Sequence, residues 1–312
     1  MKIWLIGAGI MAQDYAKVLL SLGTSFKVIG RRESSAKNFT ENLGKAVQIG
    51  GVKNALTTLK APDVAIIAVG VADLAETAIT LINAGTKRIL VEKPGGIDLK
   101  EIDYLNRIAI DHKVSVYLGY NRRFYASSIK ARELILEDGG LTSARFEFTE
   151  WSHIIGALDT DSNIKNRWVL ANSSHVMDLA FHFSGLPIKY KSVYSGSLNW
   201  HLSAARFCGS GITKNNIIFS YFADWESAGR WSLELFTRAR RIILSPMEKI
   251  QIMKVGSIKI ETINLNDSLD IEFKPGLYKQ TKAFLSGENS NLCTLENHVE
   301  AARVYNKIAG YK

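Results

Sequence analysis

The sequence predicts an α/β plus α+β protein: an amino-terminal doubly wound parallel sheet, then an α+β domain on an open, mostly antiparallel sheet. Three observations predict it. The chain has 312 residues, beyond the length at which one hydrophobic core usually stops growing, and its 46% apolar residues can fill two cores. Up to Tyr120 the apolar runs are continuous and separated by helix-like segments, as in parallel strands covered on both faces. Past Tyr120 apolar and polar positions alternate, as in antiparallel strands with one wet face. The expected domains are 1–120 and 121–312.

The elements follow in order. Residues 2–6 form an apolar run, then comes Gly7-Ala8-Gly9-Ile10-Met11-Ala12, then Met11, Tyr15, Val18, Leu19 and Leu22 recur at helical spacing: strand, glycine turn, helix. A second run at 26–29 ends at Gly30, and strands are expected within 63–70, 88–94 and 114–120, with helices between them. In the second part, strands are expected at 144–150, 189–198, 216–223, 230–237, 241–244 and 249–263, with one helical insertion near 173–184. Helices over 276–286 and 295–308 close the chain and are candidates to pack back on the first domain.

Composition narrows the function. Lys2 and the apolar stretch after it imitate an export signal, but Asp14 and Lys17 interrupt the stretch and no small-residue cleavage site follows. The longest candidate span, 63–82, is broken by Asp73 and Glu76 and falls short of the ~18 uninterrupted apolar residues of a membrane helix, so no membrane partner is expected. The net charge of +9 suits an anionic ligand. The basic residues are scattered apart from Arg238-Ala239-Arg240-Arg241, read as the solvated face of a strand, and no nucleic acid is expected. Two distant cysteines, Cys208 and Cys293, form no C-x-x-C pair; both read as core residues of a protein kept in a reducing, cytoplasmic compartment. There is no G-x-S-x-G, no H-E-x-x-H and no Cys/His cluster, so neither an acyl-enzyme nor a metal site is expected.

The glycine turn carries the first chemistry. Gly7 permits the tight turn, Gly9 lets the backbone approach a pyrophosphate, and the small Ala12 lets the helix sit close to its strand. The helix amino end adds free N–H groups and a favourable dipole. Placed at the first strand-to-helix junction of a βαβ series, this is a Rossmann arrangement that would hold a nicotinamide dinucleotide through Gly7, Gly9, Ile10, Met11 and Ala12. At the end of the second strand an acidic side chain would bond the ribose diol; here Gly30-Arg31-Arg32 stands instead, with Ser34 close by. Two guanidinium groups and a hydroxyl suit a 2′-phosphate, which favours NADP over NAD. The alternative leaves both arginines in solvent and gives Glu33 the acidic role.

Val91-Glu92-Lys93-Pro94-Gly95-Gly96, Gly119-Tyr120-Asn121-Arg122-Arg123-Phe124 and the segment 173–185 around His175 and Asp178 follow the glycine turn in order. With the closing segments, these motifs resemble the Gfo/Idh/MocA oxidoreductases over essentially the whole chain. The resemblance implies that Lys93 borders nicotinamide and substrate and that His175 is the acid/base. It further implies cofactor contacts from Glu92, Lys93 and Asn121, with Arg122 beside it, and substrate contacts from Lys93, Trp168, His175, Asp178 and Tyr278. The chemistry agrees: hydride transfer at a sugar carbon needs a proton carrier and a cation for developing oxygen charge, and imidazole serves on either side of neutrality. Lys93 ends a parallel strand, the edge where ligands bind in open α/β sheets. Asp178, one turn beyond His175, reads as orienting it, and His182 as packing. Trp151 and His153 join Trp168 and Tyr278 as aromatic candidates for stacking on a pyranose.

Departures from the family pattern matter. Ala171 stands where an aspartate is common four residues before the histidine, with Asn172 beside it, and Ser173 replaces a glycine. The expected activity is an NADP-dependent interconversion of hydroxyl and carbonyl on a sugar, leaning towards reduction of a keto-sugar, with a nucleotide-linked sugar of surface-polysaccharide synthesis as one form. The alternative is an inert dinucleotide-binding regulator, which Ala171 favours and the retention of Lys93 and His175 opposes; a biliverdin-reductase-like enzyme is a third reading. The open sheet face leads us to expect a homo-oligomer.

Overall fold

The continuous apolar runs become the parallel strands β1 (Ile3–Ile6), β2 (Lys27–Ile29), β3 (Val47–Gln48), β4 (Val64–Ile67), β5 (Arg88–Val91) and β6 (Ser115–Leu118) in the computed structural model, which describes residues 1–311. Their order is β6-β5-β4-β1-β2-β3. Every residue of β1 and β4 is buried, because helices cover both faces, and this is why neither strand alternates. β3 is an addition to the expected strands: two residues carry no periodicity.

The chain divides into two units, Met1–Asn121 with Leu269–Val299, and Arg122–Ser268 with Glu300 onward. The returning segment of the first unit is tied to its sheet by Cys293 and Thr294, which pair antiparallel with Leu118 and Tyr117 of β6. The helix Leu277–Ser286 packs on the helix Ile10–Ser21, and the Arg88 guanidinium donates to the Phe284 carbonyl at 2.9 and 3.1 Å. β1 lies between β4 and β2, so the strand order reverses there and the carboxyl ends diverge around Gly7.

The second unit is built on β7 (Ser143–Glu147), β8 (Pro187–Ser195), β9 (Arg206–Thr213), β10 (Ile218–Asp224), β11 (Ser232–Phe236), β12 (Arg240–Leu244), β13 (Gln251–Lys254) and β14 (Ile260–Thr262). The order is β14-β13-β12-β11-β7-β10-β9-β8, and only the β7–β10 pairing is parallel. One face packs on the helix Ser174–Ser184, where Phe146 meets Phe181 edge-on at 5.6 Å. The other is open: on β10, Ile218 and Phe222 are exposed while Phe219, Tyr221 and Ala223 are buried, the period of two expected of a half-wet strand.

Four expectations are corrected. The stretch 249–263 is two strands, β13 and β14, separated by a turn. β9 and the helix Ala126–Glu137 were not foreseen; β9 contains two glycines, and the helix has a weak apolar stripe. Cys208 is exposed rather than core, because it falls on the wet parity of β9, while Cys293 is buried. Within Arg238–Arg241, Arg240 and Arg241 are not solvated but paired, with Asp138 and Glu234 at 2.6 Å each. Among the described residues no helix is long and apolar enough to cross a membrane.

Candidate active site

In the first unit a cavity of about 630 Å³ opens at the carboxyl ends of β1, β2 and β4, lined by Gly7–Met11, Gly30–Arg32 and Ala68–Gly70. Gly7 has φ +122°, and a Cβ there would stand 2.2 Å from the Ala68 carbonyl oxygen; only glycine fits. Gly9 is the opposite case: a Cβ would meet nothing within 4 Å. It caps the helix Ile10–Ser21 with no side-chain hydrogen bond, leaving the helix amino end available to an anion. Ala12 is fully buried, 3.4 Å from the position of a Gly7 Cβ, and sets the close strand–helix approach from behind the cavity. Ile10 is 81% exposed beside the turn.

Arg31 and Arg32 line this cavity, and the serine that does so is Ser35; Ser34 is exposed outside the lining. Arg31 donates to Asp73 at 2.9 Å, and Lys53 to Glu76 at 2.6 Å. Arg32 enters no ion pair among the described residues and is exposed. The cavity volume, the uncapped helix end and the cationic rim fit a dinucleotide.

Beyond β5, the Glu92 carboxylate accepts from the Tyr15 hydroxyl at 2.7 Å. Burial pushes its pKa up, while the Tyr15 bond and the nearby Lys93 and Lys274 charges pull it down. Lys93 is half-buried. Asn121 is 5% exposed and donates its amide to the Pro275 carbonyl at 2.9 Å. Tyr278 lies against Phe273, with ring centroids 5.1 Å apart. Glu92, Lys93, Ala12 and Asn121 lie outside the lining of the glycine-turn cavity.

In the second unit, a π-helical turn, Val169–Ser173, leads into the helix Ser174–Ser184 and buries His175 in its first turn. The His175 ring is 6.1 Å from Trp231. Asp178 is committed elsewhere: both of its oxygens accept from Arg123, at 2.7 and 2.6 Å, and it is 2% exposed. Burial raises its pKa and Arg123 opposes the rise. His182 contacts Arg132, and burial together with Arg123 and Arg132 holds it neutral, with its pKa well below the ordinary histidine range. Trp168 meets Trp200 edge-on, and its buried indole N–H has no partner among the described residues. Trp151 and His153 are exposed and line a second cavity of about 650 Å³ with Glu150 and Trp225–Gly229.

Three residues of this cluster were missed. Glu150 is 2% exposed and accepts from Ser173 (2.7 Å), Asn172 (3.0 Å) and Arg230 (3.1 Å). It therefore holds the turn in front of His175 through the two residues that follow Ala171. Burial raises its pKa against those bonds. The parity of β7 contained the signal: Ala144, Phe146 and Phe148 are buried, and Glu150 continues their phase. Arg230 and Trp231 sit together, the guanidinium 4.7 Å from the indole, and nothing local in the sequence marked them.

A cavity at the switch point of a parallel sheet, fronted by Gly7–Met11 and an uncapped helix, is the arrangement of a dinucleotide-binding Rossmann domain. Residues 1–120 match GFO_IDH_MocA, the oxidoreductase family with an NAD-binding Rossmann fold. No curated protein matches the sequence. Among solved structures, UDP-N-acetylglucosamine 3-dehydrogenase GnnA from Acidithiobacillus ferrooxidans is 16% identical, with TM-score 0.75 over 99% of this chain and 96% of the other. Levoglucosan dehydrogenase, in complex with NADH and L-sorbose, is 16% identical, with TM-score 0.79 over 99% and 95%. An oxidoreductase from Agrobacterium radiobacter, in complex with NAD+, L-tartaric acid and magnesium, is 13% identical, with TM-score 0.77 over 98% and 94%. At these identities the likeness is one of fold.

Proposed function

We propose that this chain is an oxidoreductase that interconverts a hydroxyl and a carbonyl on a sugar, nucleotide-linked or free, with NADP preferred over NAD and reduction as its working direction. When bound, the dinucleotide supplies or accepts the hydride. Lys93 stabilises charge on the substrate oxygen and His175 gives or takes the hydroxyl proton, roles carried from the family resemblance. Glu150 keeps the residues ahead of His175 in place through Asn172 and Ser173. The solved relatives named as dehydrogenases of a sugar nucleotide and of levoglucosan support the substrate class.

The single observation that carries the reading is the glycine-turn cavity, with Arg31 and Arg32 at the end of β2 where an acid would select the ribose diol. Mixing the protein with NADPH or NADH and a panel of keto-sugars and keto-sugar nucleotides, while following nicotinamide absorbance, tests it. Turnover with NADPH is expected, and it should fall when Lys93→Met or His175→Ala is introduced. Arg31→Ala with Arg32→Ala should weaken NADPH about tenfold or more and NADH far less, the weight of a charge-assisted phosphate contact. Equal loss for both dinucleotides would remove the NADP preference. Dinucleotide binding without turnover on any sugar would favour the regulator, the reading that Ala171 supports.

A further inference from the structure

Most buried or half-buried guanidinium groups of the second unit have a carboxylate. Arg123 has Asp178, Arg240 has Asp138, and Arg241 has Glu234. Arg122 does not. Its guanidinium carbon lies 4.7 Å from the Trp231 ring and 5.7 Å from the Tyr125 ring. Its Nε is buried without a hydrogen-bond partner, and it enters no ion pair among the described residues. Burial pulls its pKa below the ordinary arginine value and the Arg230 charge adds to this, against weaker opposing effects of Tyr125, Glu248 and Glu150. A desolvated charge is costly unless paired, and a cation–π contact replaces only part of the lost hydration.

Arg230 lies 4.7 Å from the same indole, and the indole N–H of Trp231 is a second buried donor without a partner among the described residues. Two unsatisfied donors, the Arg122 Nε and the Trp231 N–H, therefore gather at this side chain beside the exposed Arg230, which Glu150 already pairs at 3.1 Å, and the His175 ring stands 6.1 Å from it.

We propose that Arg122, Trp231 and Arg230 form a subsite for an anionic group on the substrate, a carboxylate or a phosphate, so that the sugar handled by this chain is acidic rather than neutral. This rests on the oxidoreductase reading above. A planar guanidinium fork recognises either oxyanion, and the bound group supplies the charge that the protein itself leaves out. Arg122 is then a specificity-determining residue, with its energetic cost carried in the unliganded protein and recovered on binding.

Calorimetric titration of the NADPH-loaded protein with D-glucuronate, glucose 1-phosphate and glucose tests the subsite and separates the two sources of charge. One of the two anions is expected to bind about tenfold or more tighter than glucose, in line with one charge-assisted contact. Arg122→Gln should bring that preference to near unity, and should melt no lower than wild type because it removes an unpaired charge. Arg122→Lys, which keeps the charge but not the fork, should retain a reduced preference, and it decides the matter if Arg122→Gln does not fold. Anions that bind no better than glucose, or a preference that survives in Arg122→Gln, would overturn the subsite. Failure of wild type to take either NADPH or NADH overturns the oxidoreductase reading instead, and the same titrations on the unloaded protein then still decide the role of Arg122.

Discussion

The turn Gly7–Ala12 and the cluster around Trp231 are built in opposite ways. The turn is six consecutive residues whose function lies in backbone N–H groups and in the side chains that are missing from it. The cluster gathers Arg122, Glu150, Asn172, Ser173, His175, Arg230 and Trp231 from four separate stretches, and works through long side chains that restrain one another. A backbone site depends on one or two φ angles; a side-chain site depends on a whole unit being folded.

The sharpest way to break this contrast is Gly7→Ala. The new methyl group would lie 2.2 Å from the Ala68 carbonyl oxygen at φ +122°, so either β1 or β4 must shift. Positive-φ strain adds to a clash with rigid backbone, and the expected loss is about 4 kcal/mol or more of unfolding free energy, read by urea denaturation. A variant that melts within a degree or two of wild type would show that the turn relaxes freely.

The same contrast explains what could be read from the chain. The parallel sheet, the glycine turn and Arg31–Arg32 were legible because each is contiguous and its physical requirement is local. The short β3, with two residues, and β9, with glycines at 209 and 211, carry no usable alternation. His175 was singled out through the resemblance alone. Its support was hidden, because Glu150, Arg230 and Trp231 come together only through the pairing of β7 with β11. Glu150 alone left a trace, in the parity of its strand, and Asp178 was placed on the substrate side although Arg123 occupies both of its oxygens.

A prediction of intermediate size probes the interior of the second unit away from the Trp231 cluster. His201 is fully buried; its Nδ1 donates to the Ala204 carbonyl at 2.7 Å and its Nε2 accepts from the Tyr311 hydroxyl at 2.9 Å. Tyr311 in turn accepts from the Val169 N–H at 3.0 Å, the start of the turn before His175. Burial is the main cause that lowers the His201 pKa from 6.5 to about 4. The unfolded chain therefore takes up the proton first, so the stability contributed by neutral His201 is complete above pH 6.5 and is lost as pH falls towards about 4. The loss approaches roughly 3 kcal/mol at the acid end. Glu92, Glu150 and Asp178, whose pKa values are raised, act in the opposite direction as pH rises, and they are common to both proteins compared. His201→Gln should therefore flatten the acid limb of the stability profile measured by urea denaturation, and parallel limbs in the two proteins would refute the assignment.

Gly9→Ala should change stability least of all, and it sharpens the comparison most. A Cβ at Gly9 meets no atom within 4 Å, and its φ of −81° is open to any residue, so the fold has no reason to object. Alanine is a poorer helix cap than glycine, but it also restricts the unfolded chain, and the expected net change in unfolding free energy is within about 0.5 kcal/mol. The methyl group nonetheless stands at the mouth of the free helix end, where a pyrophosphate needs direct access to backbone N–H groups. NADPH affinity, followed by quenching of protein fluorescence, should fall about tenfold or more while the melting curve stays in place. Two glycines two residues apart would then separate cleanly, Gly7 serving the fold and Gly9 serving the ligand. Unchanged NADPH affinity in Gly9→Ala would mean that the phosphates do not settle on this turn, and the cavity beside it would lose its claim to the dinucleotide.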